Sequence, residues 1–104
     1  MLYLMVRFNV PLHETGRYET IFAGEFLPLI REHGIEMVGT FKTLVGEAGE
    51  YHELWRFADA ADFDRKWKAL FADPRVGRIV ERTGPLVHGE SSRLLTAASF
   101  SPEP

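Results

Sequence analysis

The side chains of this 104-residue chain that could do chemistry are four histidines, two tryptophans and a few charged residues set in apolar strands. Arg7 and Asn9 belong to a run from Leu2 to Val10 in which Leu2, Leu4, Val6, Phe8 and Val10 alternate with Tyr3, Met5, Arg7 and Asn9. A guanidinium and an amide on the less apolar side of a strand are the kind of groups that orient a ligand in an otherwise apolar pocket. A buried arginine also demands a carboxylate, with Glu53 or Glu36 the expected partner, so a structural ion pair is the simpler reading. His52 and His88 lie in later strand-like runs and could meet across a sheet. Imidazole titrates near neutral pH and can serve as a general base or a haem ligand. Asn9 and His52 are therefore the candidates for catalysis. Tyr3, Arg7, Asn9, His52, Trp55 and His88 are the candidates for ligand binding, against the plainer reading of solvated histidines and a core tryptophan.

Other chemistries find no template. His13 sits in a turn, and His33 before Gly34 suits the negative end of a helix. No two histidines have metal-ligand spacing, since His52-Glu53 is followed by Leu-Trp-Arg and not by a second histidine, so no metal is expected. There is no glycine-rich phosphate loop, nucleophile elbow, Walker-type lysine or EF-hand. With no cysteine, disulfides, thiolate metal sites and cysteine nucleophiles are excluded, and a reducing, cytoplasmic setting is the expectation. A net charge of -3 with scattered Lys and Arg offers no surface for nucleic acid. The opening apolar run is broken by Arg7 and Asn9, too short for a signal or a membrane span, and reads as a strand.

The elements that must position these residues follow from pattern. Glu50 to Pro74 is the most explicit stretch. Tyr51–Phe57 reads as a half-buried strand and Asp59 as a helix N-cap, with Asp62 three residues on as a carboxylate variant of the capping box. Phe63, Trp67, Leu70 and Phe71 share one helical face, and Asp73-Pro74 ends the helix. The acidic Asp59, Asp62 and Asp64 need no role beyond capping and solvation. Earlier, a helix is expected from about Arg17 to His33, with Tyr18, Ile21, Phe22, Phe26, Leu29 and Ile30 as its stripe. Pro28 should kink it near Gly24–Phe26, and Gly34 should close it. Ile35–Val45 reads as a second strand, joined through Gly46-Glu47-Ala48-Gly49 to the third. Val76, Ile79 and Val80 mark a short helix before Gly84-Pro85. Leu86–Leu95 is the last strand, with Gly89 a bulge or close approach.

The order β-α-β-β-α-β is an α+β, ferredoxin-like pattern: a four-stranded antiparallel sheet with helices on one face. The opposite face would carry Tyr3, Met5 and other apolar residues, too much to leave in water. A homodimer is expected, in which two sheets meet or close into a joint α/β barrel.

Phe26-Leu27-Pro28-Leu29-Ile30, Glu32-His33-Gly34, Val38-Gly39, Leu54-Trp55-Arg56-Phe57, Asp73-Pro74, Ser92-Arg93-Leu94-Leu95 and Phe100-Ser101-Pro102 stand in one order along the chain. In that order the sequence resembles the NIPSNAP family of the dimeric α/β-barrel superfamily. The resemblance implies a ferredoxin-like protomer over residues 1–100, a tail at 101–104 and a dimeric barrel. Two positions depart from the family pattern. Leu4-Met5-Val6 replaces a Glu-Leu-Arg-like start, and Glu53 stands two residues before Trp55 where the family often has histidine. His52 is displaced by one residue, which on a strand means the opposite face. Related barrel families include metal-free monooxygenases and haem-degrading enzymes.

The functional expectation is a pocket for a small apolar or aromatic molecule, extending to cofactor-independent monooxygenase-type chemistry. No cofactor is called for. The alternative is a non-catalytic interaction module whose sheet face is consumed by dimerisation.

Overall fold

The computed structural model describes residues 1–102 and bears out the element order. Strand β1 (Leu2–Asn9) is followed by a 3-10 turn (Leu12–Glu14), α1 (Thr15–Ile21), a π-helical segment (Phe22–Phe26) and α2 (Leu27–Glu32). Then come β2 (Glu36–Lys42), β3 (Glu50–Phe57), α3 (Ala60–Ala72), α4 (Pro74–Thr83), a 3-10 turn (Gly84–Leu86) and β4 (His88–Thr96). The sheet is antiparallel in the order β2-β3-β1-β4, the ferredoxin-like arrangement. Of the tail expected at 101–104, residues 103 and 104 lie outside the described residues. Among the described residues no helix is long and apolar enough to cross a membrane.

The core lies between sheet and helices because strand alternation and helical stripes meet there. Leu4, Val6 and Phe8 of β1 and Tyr51, Trp55 and Phe57 of β3 pack against Tyr18, Ile30, Leu70, Val76 and Leu86. Phe8 and Tyr51 stack at 5.3 Å between ring centroids, and Tyr18 closes edge-on to Phe8 at 5.5 Å. Side chains buried as fully as Leu70 contribute roughly 2 kcal/mol each by removal from water. Trp67, partly buried, packs against the core between Phe63 and Phe71.

Proline explains the break in the first helical region. Pro28 lacks the N–H that would bond Gly24, and the chain just before it widens into a π turn where a kink was expected. Asp59 accepts from the Asp62 backbone N–H at 2.8 Å. The Asp62 carboxylate reaches back to the Ala58 N–H at 2.9 Å, one residue past the N-cap N–H that the box would use. Asp73 ends α3 and caps α4, accepting from Arg75 N–H at 2.9 Å.

Strand β2 departs from the simple alternation. It spans Glu36–Lys42, shorter than Ile35–Val45, and Val38 is an extra residue between the pairs Met37–Trp55 and Gly39–Leu54. The bulge turns Met37 and Thr40 toward the helices but Phe41, opposite His52, onto the open face. At the other edge Gly89 (φ 61°) carries the expected bulge, which shifts β4 against Arg7 and Asn9. Strand β4 begins at His88, two residues later than expected, because Leu86 is drawn into the core by the preceding 3-10 turn.

Candidate functional site

Alternation on β3 makes the site. Tyr51, Glu53, Trp55 and Phe57 point toward the helices and are buried; His52, Leu54 and Arg56 point to the open face. A carboxylate is thus carried into an aromatic layer by an otherwise apolar strand face. Glu53 is only 7% exposed. It borders a cavity of about 300 Å³ between the sheet and the helices, walled by Trp55, Tyr18, Phe22, Phe26 and Trp67 and reached from β4 by Glu90.

Local structure shapes this hollow. The π segment sets Phe22 and Phe26 over the sheet, and Phe22 lies 6.4 Å from the Trp55 ring. The Arg82 guanidinium holds Glu25 through two bonds of 2.6 and 3.0 Å, clipping the π segment to α4. His33 meets Asp73 at 2.9 Å, and Arg75 bonds both Asp73 and Glu32, so α2 is tied to the α3–α4 junction. A smaller hollow of about 200 Å³ shares Glu53, Tyr18 and Phe22 with the first. Beside it Tyr51 donates to Glu19 at 2.5 Å, and Lys42 donates to the same carboxylate at 3.0 Å.

Burial pushes the Glu53 carboxyl up to about 7 from its usual 4.5, aided by the charge of Glu90 and opposed by the Trp55 indole and the Tyr18 phenol. The Trp55 N–H donates to Glu53 Oε1 at 3.3 Å. The Tyr18 phenol is raised by its own burial and then by Glu53 nearby. A carboxyl that changes state near neutral pH inside an apolar cavity can exchange a proton with a bound molecule.

Of the six residues singled out from sequence, five share the open face, where Arg7 stands opposite His52, and Trp55 faces the helices. Tyr3, Arg7, Asn9 and His52 lie on the open face, and His88, opposite Asn9, belongs to the same side at the β4 edge. Trp55 alone of the six borders the cavity beneath. His52 and His88 do not meet, because β1 lies between their strands and they pair with different residues of it. Neither expected partner takes Arg7: Glu53 faces the helices and Glu36 pairs with Arg56. Arg7 instead bonds Glu50 at 2.7 Å, Glu47, and the Gly89 carbonyl at 3.2 Å, linking β1 to the hairpin and the β4 bulge. Glu50 also accepts from Thr43 at 2.6 Å and lies 3.3 Å from His52. Thr43, then Arg7, hold its carboxyl down to about 2.

Glu53 and Glu90 were missed as cavity residues. For Glu53 the signal was present: it shares parity with Tyr51, Trp55 and Phe57, so whichever side buries the aromatics buries the carboxylate too. For Glu90 the signal was partial: Gly89 was read as a bulge or close approach, but a bulge does not say which side of the sheet β4 faces around it.

The NIPSNAP family profile matches residues 3–102. The chain belongs to the NIPSNAP family. Among solved structures, a NIPSNAP family protein of unknown function from Agrobacterium tumefaciens superposes with a TM-score of 0.91 at 24% identity, covering 98% of this chain and 92% of that one. An uncharacterised NIPSNAP domain protein from Burkholderia xenovorans gives 0.91 at 21% identity, covering 99% and 100%. A mutant of SnoaB, a cofactor-independent oxygenase from Streptomyces nogalater, gives 0.72 at 20% identity, covering 98% and 97%. These likenesses are of fold. No curated protein matches the sequence.

Proposed function

We propose that the cavity beneath the sheet binds a small apolar or aromatic molecule, and that Glu53 takes part in cofactor-independent chemistry on it. The observation that carries the reading is a buried carboxyl, poised near neutral pH, in a hollow walled mainly by aromatic and aliphatic side chains with Glu90 and Thr83 at its border. Such a hollow, about 300 Å³, sits at the lower end of the range for small-molecule sites. Aromatic walls supply affinity without hydrogen-bonding demands, and one polar group orients the guest. The fold shared with a cofactor-independent oxygenase supports monooxygenase-type chemistry only by analogy.

The open face supports a second use beside the first. Val38, 45% exposed, lies there with Tyr3, Met5 and Leu54, Phe41, 61% exposed, stands opposite His52 on the same face, and a second copy of the chain is the proposed cover. Ligand binding and dimerisation need not compete, because they draw on opposite faces of one sheet.

A thermal-shift screen with one- and two-ring aromatic compounds tests the cavity, since a ligand selective for the folded state raises the melting temperature. The expected result is a dose-dependent rise that Phe22→Trp, which fills the hollow, removes. A panel without a single shift would overturn the reading.

A further inference from the structure

We infer that the cavity selects uncharged ligands bearing a hydroxyl or N–H group, which docks on Glu53, and turns away carboxylates and other anions. The inference rests on the proposed small-molecule site and names its charge preference. Two carboxylates, Glu53 and Glu90, border the cavity, and among the described residues no lysine, arginine or histidine does. The nearby cations are committed elsewhere: Arg82 to Glu25, Lys42 to Glu19, and Arg7 to Glu47 and Glu50 on the far face of the sheet. An anion entering would meet like charge in a poorly solvated space with nothing to neutralise it.

Orientation follows from the same residues. The Trp55 N–H donates to Oε1 of Glu53 and fixes the carboxyl plane, so that in the ionised group, the form present at pH 7.5, the remaining oxygen accepts from a donor on the guest. A hydroxylated two-ring molecule would lie among Phe22, Phe26 and Trp67 with its O–H toward Glu53. A neutral molecule lacking a donor would bind through its rings alone and leave the second carboxylate oxygen desolvated without a partner on the guest. Glu53 and Glu90 are therefore specificity-determining residues, one by contact and one by field.

The test compares naphthalene, 2-naphthol and 2-naphthoate by titration calorimetry at pH 7.5 with the full chain. The expected order is 2-naphthol at least tenfold tighter than 2-naphthoate, with naphthalene between them. Glu53→Gln should raise 2-naphthoate affinity about tenfold and weaken 2-naphthol. Glu90→Gln, on an exposed edge strand, should raise 2-naphthoate affinity severalfold even if the first variant folds poorly. Equal binding of 2-naphthol and 2-naphthoate, or ratios that neither variant moves, would overturn the charge preference while leaving the cavity a binding site. Failure of all three probes would instead bring down the underlying site proposal, and the preference with it.

Discussion

Glu53 and Trp55 project from the same side of β3, and the indole N–H of the second donates to the carboxyl of the first at 3.3 Å inside the core. Burial, with the charge of Glu90 behind it, outweighs the help of the Trp55 indole and the Tyr18 phenol, which is why the carboxyl rises to about 7 from 4.5. The folded chain therefore holds this proton to a higher pH than the unfolded chain does. Between about pH 4.5 and 7 the unfolded chain has released this proton and the folded chain still holds it, so this group's contribution falls as pH rises through that window and levels off above it. At pH 8 the buried charge costs on the order of 3 kcal/mol. Glu53→Gln should be more stable than the parent at pH 8 by roughly 1–3 kcal/mol and nearly equal to it at pH 4.5. Urea midpoints at the two pH values check this, and a difference independent of pH would refute it.

The opposite sign belongs to Asp73. Arg75 first, then His33, hold its carboxyl well below the usual 3.8. Its stabilising effect is present above the ordinary carboxylate range and is lost as pH falls through and below it. Asp73→Asn should melt at a lower temperature than the parent at pH 7, and the two curves should begin to draw together below about pH 4 and go on doing so as far down as about pH 2. Parallel curves over that range would show that the charge of Asp73 does nothing for stability.

Gly49 has no room for a side chain. It adopts φ 76°, and a Cβ built there would stand 2.2 Å from the Val10 carbonyl oxygen. Val10 N–H bonds the Gly49 carbonyl at 2.9 Å, so the hairpin cannot move aside without breaking its tie to β1. Gly49→Ala should cost about 2 kcal/mol or more in denaturant unfolding. A loss under about 0.5 kcal/mol would mean the hairpin yields easily.

For the proposed dimer, sedimentation equilibrium should return about twice the 11.9 kDa of one chain. The double substitution Val38→Glu, Phe41→Glu places charge on two exposed side chains of the open face, so it should halve that mass while leaving circular dichroism unchanged. A parent protein that sediments as a single chain at micromolar concentration removes the dimer from consideration.

Much of the architecture was legible because it is written in short-range chemistry. The alternation of β1, the Asp59 cap, the break ahead of Pro28, the stop at Asp73-Pro74 and the left-handed Gly34 each involve residues within a few positions of one another. Their backbone consequences are local, and the order of elements then leaves few ways to assemble a sheet.

Facing and pairing were another matter. One inserted residue at Val38 sent Phe41 to the open face, and the bulge at Gly89 brought Glu90 to the cavity. Arg7 found Glu50 and Glu47 and left Glu53 to the aromatic layer, a choice made by sheet order and hairpin shape. The sequence by itself determined which segments are strands and helices, where they stop, and that one strand carries a carboxylate among aromatics. Only the tertiary structure decided which side of the sheet the helices cover, and so whether Glu53 or His52 is the buried group. Parity along a strand is local, but which parity is inside depends on every other element that packs there.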